Sequence, residues 1–121
     1  FIAKGTNNFA VVFEQLDDFP TIASSALFVI KVDQKIASPE YVAWYINQSL
    51  VQNYFKTNEA GTYVTSINKT TIEEIPIALP SLKLQNQIAR ISLLHKKEKS
   101  IIAEVTALKD TLITNQLLKT L

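Results

Sequence analysis

From Ser81 to Leu121 the sequence holds neither proline nor glycine, and no other stretch limits the fold as much. It reads as one long helix. Pro80 cannot sit inside a helix, and Ser81 directly after it is a natural N-cap. Three residues on stands Leu84 rather than Glu or Gln, so a reciprocal capping box is missing. Positions alternately three and four apart are Leu84, Gln87, Ile91, Leu94, Glu98, Ile101, Val105, Leu108, Leu112, Asn115 and Lys119. Most are apolar, the seam pattern of a coiled coil or helical hairpin. Ile88, Ile102, Ile113, Leu117 and Leu118 widen the stripe beyond a narrow two-stranded seam. At about 1.5 Å per residue the helix spans roughly 60 Å, too long to lie wholly on a small domain. Such a helix needs a partner. The plainer alternative is a core helix of a larger bundle.

The preceding residues read as a small mixed body. Phe1–Ala3 and Phe9–Phe13 are short strand candidates around the polar turn Lys4-Gly5-Thr6-Asn7-Asn8, where glycine and asparagine suit positive backbone angles. Glu14–Pro20 is an acidic loop, and Thr21–Val32 a longer strand candidate interrupted by Ser24-Ser25. Ser38-Pro39-Glu40 opens a helix with N-cap serine, proline at the first position and an acid in the first turn. The segment Tyr41–Phe55 follows, with Ser49 as the cap of a second short helix. Tyr41 and Trp44 are read as core or rim packing in preference to a base-stacking platform. A turn surrounds Gly61, Tyr63–Ile67 is extended, and Thr70 with Glu73 matches a capping box for a short helix through Ile75. Pro76 and Pro80 bracket the apolar connector Ile77-Ala78-Leu79.

Little here suggests catalysis. The chain has no cysteine, which excludes disulfides and thiolate metal sites. Its single histidine, His95, lies among Lys96, Lys97 and Lys99, with no second histidine to share a metal. Two glycines cannot build a phosphate-cradling loop. The pairs Asp17-Asp18 and Glu73-Glu74 read as solvated charges. The expectation is therefore no catalytic residue, no metal and no cofactor. No apolar run reaches transmembrane length and no secretory signal stands at the start, so the expected compartment is the cytoplasm. Methionine is also absent and the chain opens on Phe1-Ile2-Ala3, which reads like the middle of a strand; further sequence upstream is expected. Residues 1–80 carry five Lys/Arg against eight Asp/Glu, and residues 81–121 carry seven against three. A self-sufficient DNA-binding body is normally more basic than the first part.

The polar loops suit recognition instead. Lys4, Thr6, Asn7 and Asn8 form one cluster, with Ser24 and Ser25 beside the next strand. Lys56, Thr62, Thr65, Ser66, Asn68, Lys69 and Thr70 form another. Lysines with small hydroxyl and amide side chains fit phosphate contacts, and asparagine can read adenine in the major groove. Turns share this composition.

The order of phrases then carries a resemblance. Ser38-Pro39-Glu40-Tyr41-Val42-Ala43-Trp44-Tyr45-Ile46-Asn47 is followed by Gly61-Thr62 and Ile67-Asn68-Lys69. Next come Ile72-Glu73-Glu74-Ile75-Pro76-Ile77-Ala78-Leu79-Pro80-Ser81-Leu82, then Gln85 and Gln87-Ile88-Ala89. This resembles the specificity subunit of type I restriction–modification systems, from the end of a target-recognition domain into its long conserved helix. Ile2-Ala3-Lys4-Gly5 and Ala23-Ser24-Ser25 also resemble strand phrases of that domain. Pro80-Ser81-Leu82 departs from the family's Pro-Pro-Leu, and Lys83-Leu84 replaces acidic residues. The first half of a recognition domain has no counterpart before Phe1.

The resemblance implies an α+β chain: a small, partial mixed α/β target-recognition domain over residues 1–80, then one long coiled-coil-type helix over residues 81–121. It implies duplex DNA as a partner, and from the polar loops the expected contacts are Lys4, Thr6, Asn7, Asn8, Ser24, Ser25, Lys56, Thr62, Asn68, Lys69 and Thr70. It also implies docking of methyltransferase subunits and, through them, restriction subunits. Full subunits hold two recognition domains apart on two antiparallel helices, so a chain with one of each is expected to form an antiparallel homodimer. Its interface is expected to use Leu84, Ile88, Ile91, Leu94, Ile101, Val105, Leu108 and Leu112, with Asn115 helping to set register. The rival reading is a truncated adaptor that assembles through the helix without binding DNA. An independent enzyme is the third.

Overall fold

The computed structural model of the chain describes residues 1–4, 8–14, 18, 20–58 and 67–121. It is α+β, and the described residues form two short strands, three short helices and one long carboxyl-terminal helix. Strand β1 (Ile2–Ala3) pairs antiparallel with β2 (Leu27–Phe28), Ile2 opposite Phe28 and Ala3 opposite Leu27. On its other side Ile2 forms an isolated antiparallel bridge with Ala10. Phe1 and Val11 exchange two bonds there. The Phe1 amino group donates to the Val11 carbonyl at 2.8 Å, and the Val11 N–H donates to the Phe1 carbonyl at 2.9 Å.

The strands expected over Phe9–Phe13 and Thr21–Val32 therefore shrink to one bridge and two residues. A strand is defined by what lies opposite, and β1 offers only a short partner. Apolar content reports that a segment is buried or extended, not that it is paired. The turn at Gly5, Thr6 and Asn7, the turn at Gly61 and most of the extended segment Tyr63–Ile67 lie outside the described residues.

Helix α1 (Pro39–Ile46) starts as its sequence dictates. The Ser38 hydroxyl accepts from the Tyr41 N–H at 3.4 Å, and Pro39 sits at the first position. The chain then breaks at Asn47, whose side chain is drawn to the sheet. Asn47 Nδ2 donates to the Ala10 carbonyl at 2.8 Å, and its Oδ1 accepts from the Ala10 N–H at 2.7 Å. Helix α2 (Ser49–Thr57) has Gln48 as its N-cap residue, not Ser49, and Gln48 makes no side-chain cap bond. Gln48 Nε2 donates backwards to the Trp44 carbonyl at 2.6 Å. Fully buried Ile2, Ile46, Val51 and Phe55 form the centre of the core between β1, α1 and α2.

Helix α3 (Lys69–Glu73) is capped by Asn68 rather than Thr70 and stops at Glu73 rather than Ile75. Asn68 Oδ1 accepts from the Thr71 N–H at 2.8 Å and from the Thr71 hydroxyl at 3.0 Å. An Asn68→Ala change is expected to cost about 1 kcal/mol in thermal unfolding, the usual magnitude for a lost N-cap.

The connector after α3 is docked on α1 by two tyrosines. The Tyr41 hydroxyl donates to the Ala78 carbonyl at 2.7 Å and the Tyr45 hydroxyl to the Pro76 carbonyl at 3.2 Å. Burial, with a smaller contribution from Tyr45, pushes the Tyr41 pKa up, so Tyr41 remains a donor. Tyr41, Trp44 and Tyr45 pack against one another with ring centroids 5.6–6.3 Å apart. Ser81 then opens α4 (Leu82–Leu118), its hydroxyl accepting from the Leu84 N–H at 3.4 Å. The 37 residues of α4 form one continuous helix, about 55 Å long at about 1.5 Å per residue. The chain divides into two compact units, Phe1–Ala89 and Arg90–Leu121.

Candidate nucleic-acid interface

Lys4 is the centre of one polar cluster in the first unit. Its Nζ donates to the Ser25 carbonyl at 2.6 Å and stands 4.6 Å from the centroid of the Phe28 ring. The ring face holds the ammonium electrostatically without neutralising it. Ser25 belongs to a tight turn in which the Leu27 N–H donates to the Ser24 carbonyl at 3.0 Å and the Ala26 N–H to the Ser24 hydroxyl at 3.3 Å. The Lys4 N–H donates to the Ala26 carbonyl at 3.0 Å, and the Lys4 carbonyl accepts from the Ile67 N–H at 3.3 Å. That last bond ties the residue just before Asn68, Lys69 and Thr70 to the first cluster. Lys4, Ser24 and Ser25 thus come together, and Asn68, Lys69 and Thr70 follow directly from the residue bonded to Lys4.

Ser24, Ser25, Asn68, Lys69 and Thr70 are exposed, as is Lys56 in the last turn of α2. Lys69 Nζ meets Glu73 at 3.3 Å in an exposed pair one helical turn apart. Such exposed pairs contribute little to stability. Asn8 is different: it is 4 % exposed, and its Nδ2 donates to the Ala3 carbonyl at 2.9 Å. Gln52 Nε2 donates to the Asn8 carbonyl at 3.2 Å. Asn8 therefore secures the end of β1 from inside. Thr6, Asn7 and Thr62 lie outside the described residues.

Gln85 was visible in the sequence only as part of a family-like phrase. It is fully buried in the first turn of α4. Its Oε1 accepts from the Ser38 N–H at 2.9 Å, and its Nε2 donates to the Ile36 carbonyl at 3.0 Å and the Pro80 carbonyl at 2.7 Å. The start of α4 is thereby bonded to the start of α1.

Along α4, Leu84, Ile91, Leu94, Ile101, Val105, Leu108 and Leu112 are exposed. Ile88 is half-buried and packs against the core of the first unit. His95 Nδ1 lies 3.2 Å from Glu98 Oε2, both side chains open to solvent. Among the described residues, no group of three His, Cys, Asp or Glu side chains could hold a metal, and no helix is long and apolar enough to cross a membrane.

The small α+β body carries lysine- and hydroxyl-bearing turns, and the helix after it carries an exposed apolar stripe. A family model described as the type I restriction modification DNA specificity domain matches residues 8–108. The chain belongs to that family, one of DNA-recognition subunits rather than catalysts. No curated protein and no solved structure matches it.

Proposed function

We propose that the chain is a cytoplasmic half-subunit that reads duplex DNA for a type I restriction–modification system. Residues 1–80 are the reader. Residues 81–121 pair with a second copy and dock methyltransferase subunits, which in turn carry the restriction subunits. The observation that carries this reading is the family match, which runs from Asn8 in the body to Leu108 in α4. The Lys4–Ser25 turn and the adjoining Asn68-Lys69-Thr70 segment support it, since both offer phosphate-binding chemistry on exposed surface. The exposed stripe of α4 supports the pairing, because a helix rarely leaves so many leucines and isoleucines uncovered.

The test is a salt series of duplex binding by fluorescence anisotropy, with and without methyltransferase subunits. Binding is expected to weaken steeply with salt. Lys4→Ala is expected to lower the log–log salt slope by about 0.9, one phosphate contact, while Lys4→Arg retains it. Lys69→Ala is expected to do the same. A slope unchanged in both alanine variants removes these residues from the interface.

The charge balance of residues 1–80 favours a second reading, an adaptor that assembles through α4 and binds no DNA. A titration that stays flat at low salt, even with methyltransferase subunits present, selects it.

A further inference from the structure

The exposed apolar stripe of α4 does not choose its own register. A second, antiparallel copy can be seated on it in positions one heptad apart. With the helices crossing between residues 99 and 100, Ile91 meets the partner's Leu108 and Leu94 meets the partner's Val105. With the crossing at residue 96, Leu84 meets the partner's Leu108 and Ile91 meets the partner's Ile101. With the crossing at residue 103, Leu94 meets the partner's Leu112 and Ile101 meets the partner's Val105. Each position gives two wholly apolar layers, and symmetry forms each layer twice. Apolar contact is matched among the three.

The charged flanks of the stripe are not matched. Lys83, Arg90, Lys97 and Glu104 recur every seven residues, each directly before a seam position. In an antiparallel pair this row lies against its own copy, and charges so placed set orientation and register. Lys97 and Glu104 are exposed, and neither is ion-paired within the chain. No residue three or four positions from either carries the opposite charge, so the helix itself cannot satisfy them. With the crossing between residues 99 and 100, Lys97 meets the partner's Glu104, and symmetry repeats the contact. The crossing at 96 brings Arg90 to the partner's Glu104 but sets Lys97 against the partner's Lys97. The crossing at 103 sets Glu104 against the partner's Glu104 and leaves Lys97 without a carboxylate. The other flank, Ile88, His95, Ile102 and Lys109, holds no carboxylate and forms no ion pair with its copy in any of the three. A parallel pair in register stacks Glu98 on the partner's Glu98 inside the seam.

We propose that Lys97 and Glu104 fix the register of the α4 pair, each Lys97 lying on the partner's Glu104 with the helices crossing between residues 99 and 100. The proposal rests on the pairing with a second copy given above and adds which of the matched registers that pair takes. A single exposed ion pair is weak. Here two attractions, and like charges kept apart, act on registers that are otherwise equal, and specificity needs only that difference. The register also bears on reading. It fixes the separation of the two copies of Gln85, the residue that bonds α4 to the start of α1. A slip of one heptad changes that separation by about 10 Å at about 1.5 Å per residue, or about three base pairs of duplex.

The test is the distance between two spin labels, one on each copy of the full chain, attached through Thr114→Cys at an exposed position off the seam. Pulsed electron resonance is expected to read about 44 Å along the helix axis, against about 54 Å for the crossing at 96 and about 33 Å for the crossing at 103. Lys97→Glu makes the middle register repel and leaves Arg90 on the partner's Glu104 when the crossing moves to 96, so the distance is expected to lengthen. Glu104→Lys repels in the middle register and twice more at 96, so the distance is expected to shorten. The double reversal restores the attraction and is expected to return the distance to about 44 Å. Loss of the pair in a single variant, with recovery at about 44 Å in the double, supports the proposal equally. A native distance at either slipped value, or the roughly 20 Å of a parallel pair two helix diameters across, overturns it while the pairing stands. So does a distance that neither single reversal moves. A monomeric mass in light scattering, with no distance between labels, removes the pairing itself and this register with it.

Discussion

Replacing Gln85 with alanine is expected to destabilise the first unit by about 3–5 kcal/mol, the largest single-residue effect foreseen outside the apolar core. The side chain is 0 % exposed and makes three hydrogen bonds, each to backbone. Truncation leaves the buried Ser38 N–H without its acceptor, at about 1–3 kcal/mol unless water enters, and removes the bonds to the partly exposed Ile36 and Pro80 carbonyls at about 0.5–1.5 kcal/mol each. It also opens a small cavity between α1 and α4. In a body of this size about 1 kcal/mol moves the unfolding temperature by about 4–8 °C, so a drop beyond 10 °C is expected by circular dichroism. Gln85→Glu sharpens the interpretation. It keeps the shape and the acceptor for Ser38, but turns a carboxylate oxygen towards two carbonyls. Protonation restores a donor, so this variant is expected to lose stability as pH rises. A change within about 0.5 kcal/mol for Gln85→Ala, the range of a surface substitution, refutes the structural role.

Gln85 also shows where sequence reading stops. Its partners Ser38 and Ile36 lie 47 and 49 residues away, and nothing local marks a helix glutamine as buried. Elements with local causes were legible. The Ser81 cap after Pro80, the run without helix breakers and the Ser38-Pro39 start all depend on residues within one turn of each other. Elements with remote causes were not. Asn47 ends α1 because its amide is matched to the Ala10 backbone 37 residues earlier. The strand expected over Thr21–Val32 shortened because pairing depends on how much of β1 lies opposite. The candidate polar cluster was partly legible for the same reason. Lys4 and Ser25 are joined through the β1–β2 register, whereas Asn8, equally polar in sequence, is taken into the core by the Ala3 carbonyl.

The second large effect concerns the stripe of α4. In the proposed antiparallel pair with the fullest overlap, Ile91 faces the partner's Leu108 and Leu94 faces the partner's Val105. Each contact occurs twice by symmetry. Leu108 is 63 % exposed in the single chain, so Leu108→Glu leaves the monomer's packing intact. In the pair it removes two buried leucines at about 1.5–3 kcal/mol each, which raises Kd by about 10²–10⁴-fold. Light scattering at micromolar concentration is expected to read a dimer for the native chain and Leu108→Ile, and a monomer for Leu108→Glu. The absence of cysteine from the sequence allows the direction to be tested directly. With Leu108→Cys alone, an antiparallel pair holds the two thiols about 25 Å apart at about 1.5 Å per residue, too far to bridge. Adding Ile91→Cys places a thiol opposite each one, and a covalent dimer is expected on oxidation. Cross-linking of the single Leu108→Cys variant instead indicates parallel helices, which carry both readers at the same end. A monomeric native chain removes the pairing altogether, and with it the reason for the stripe.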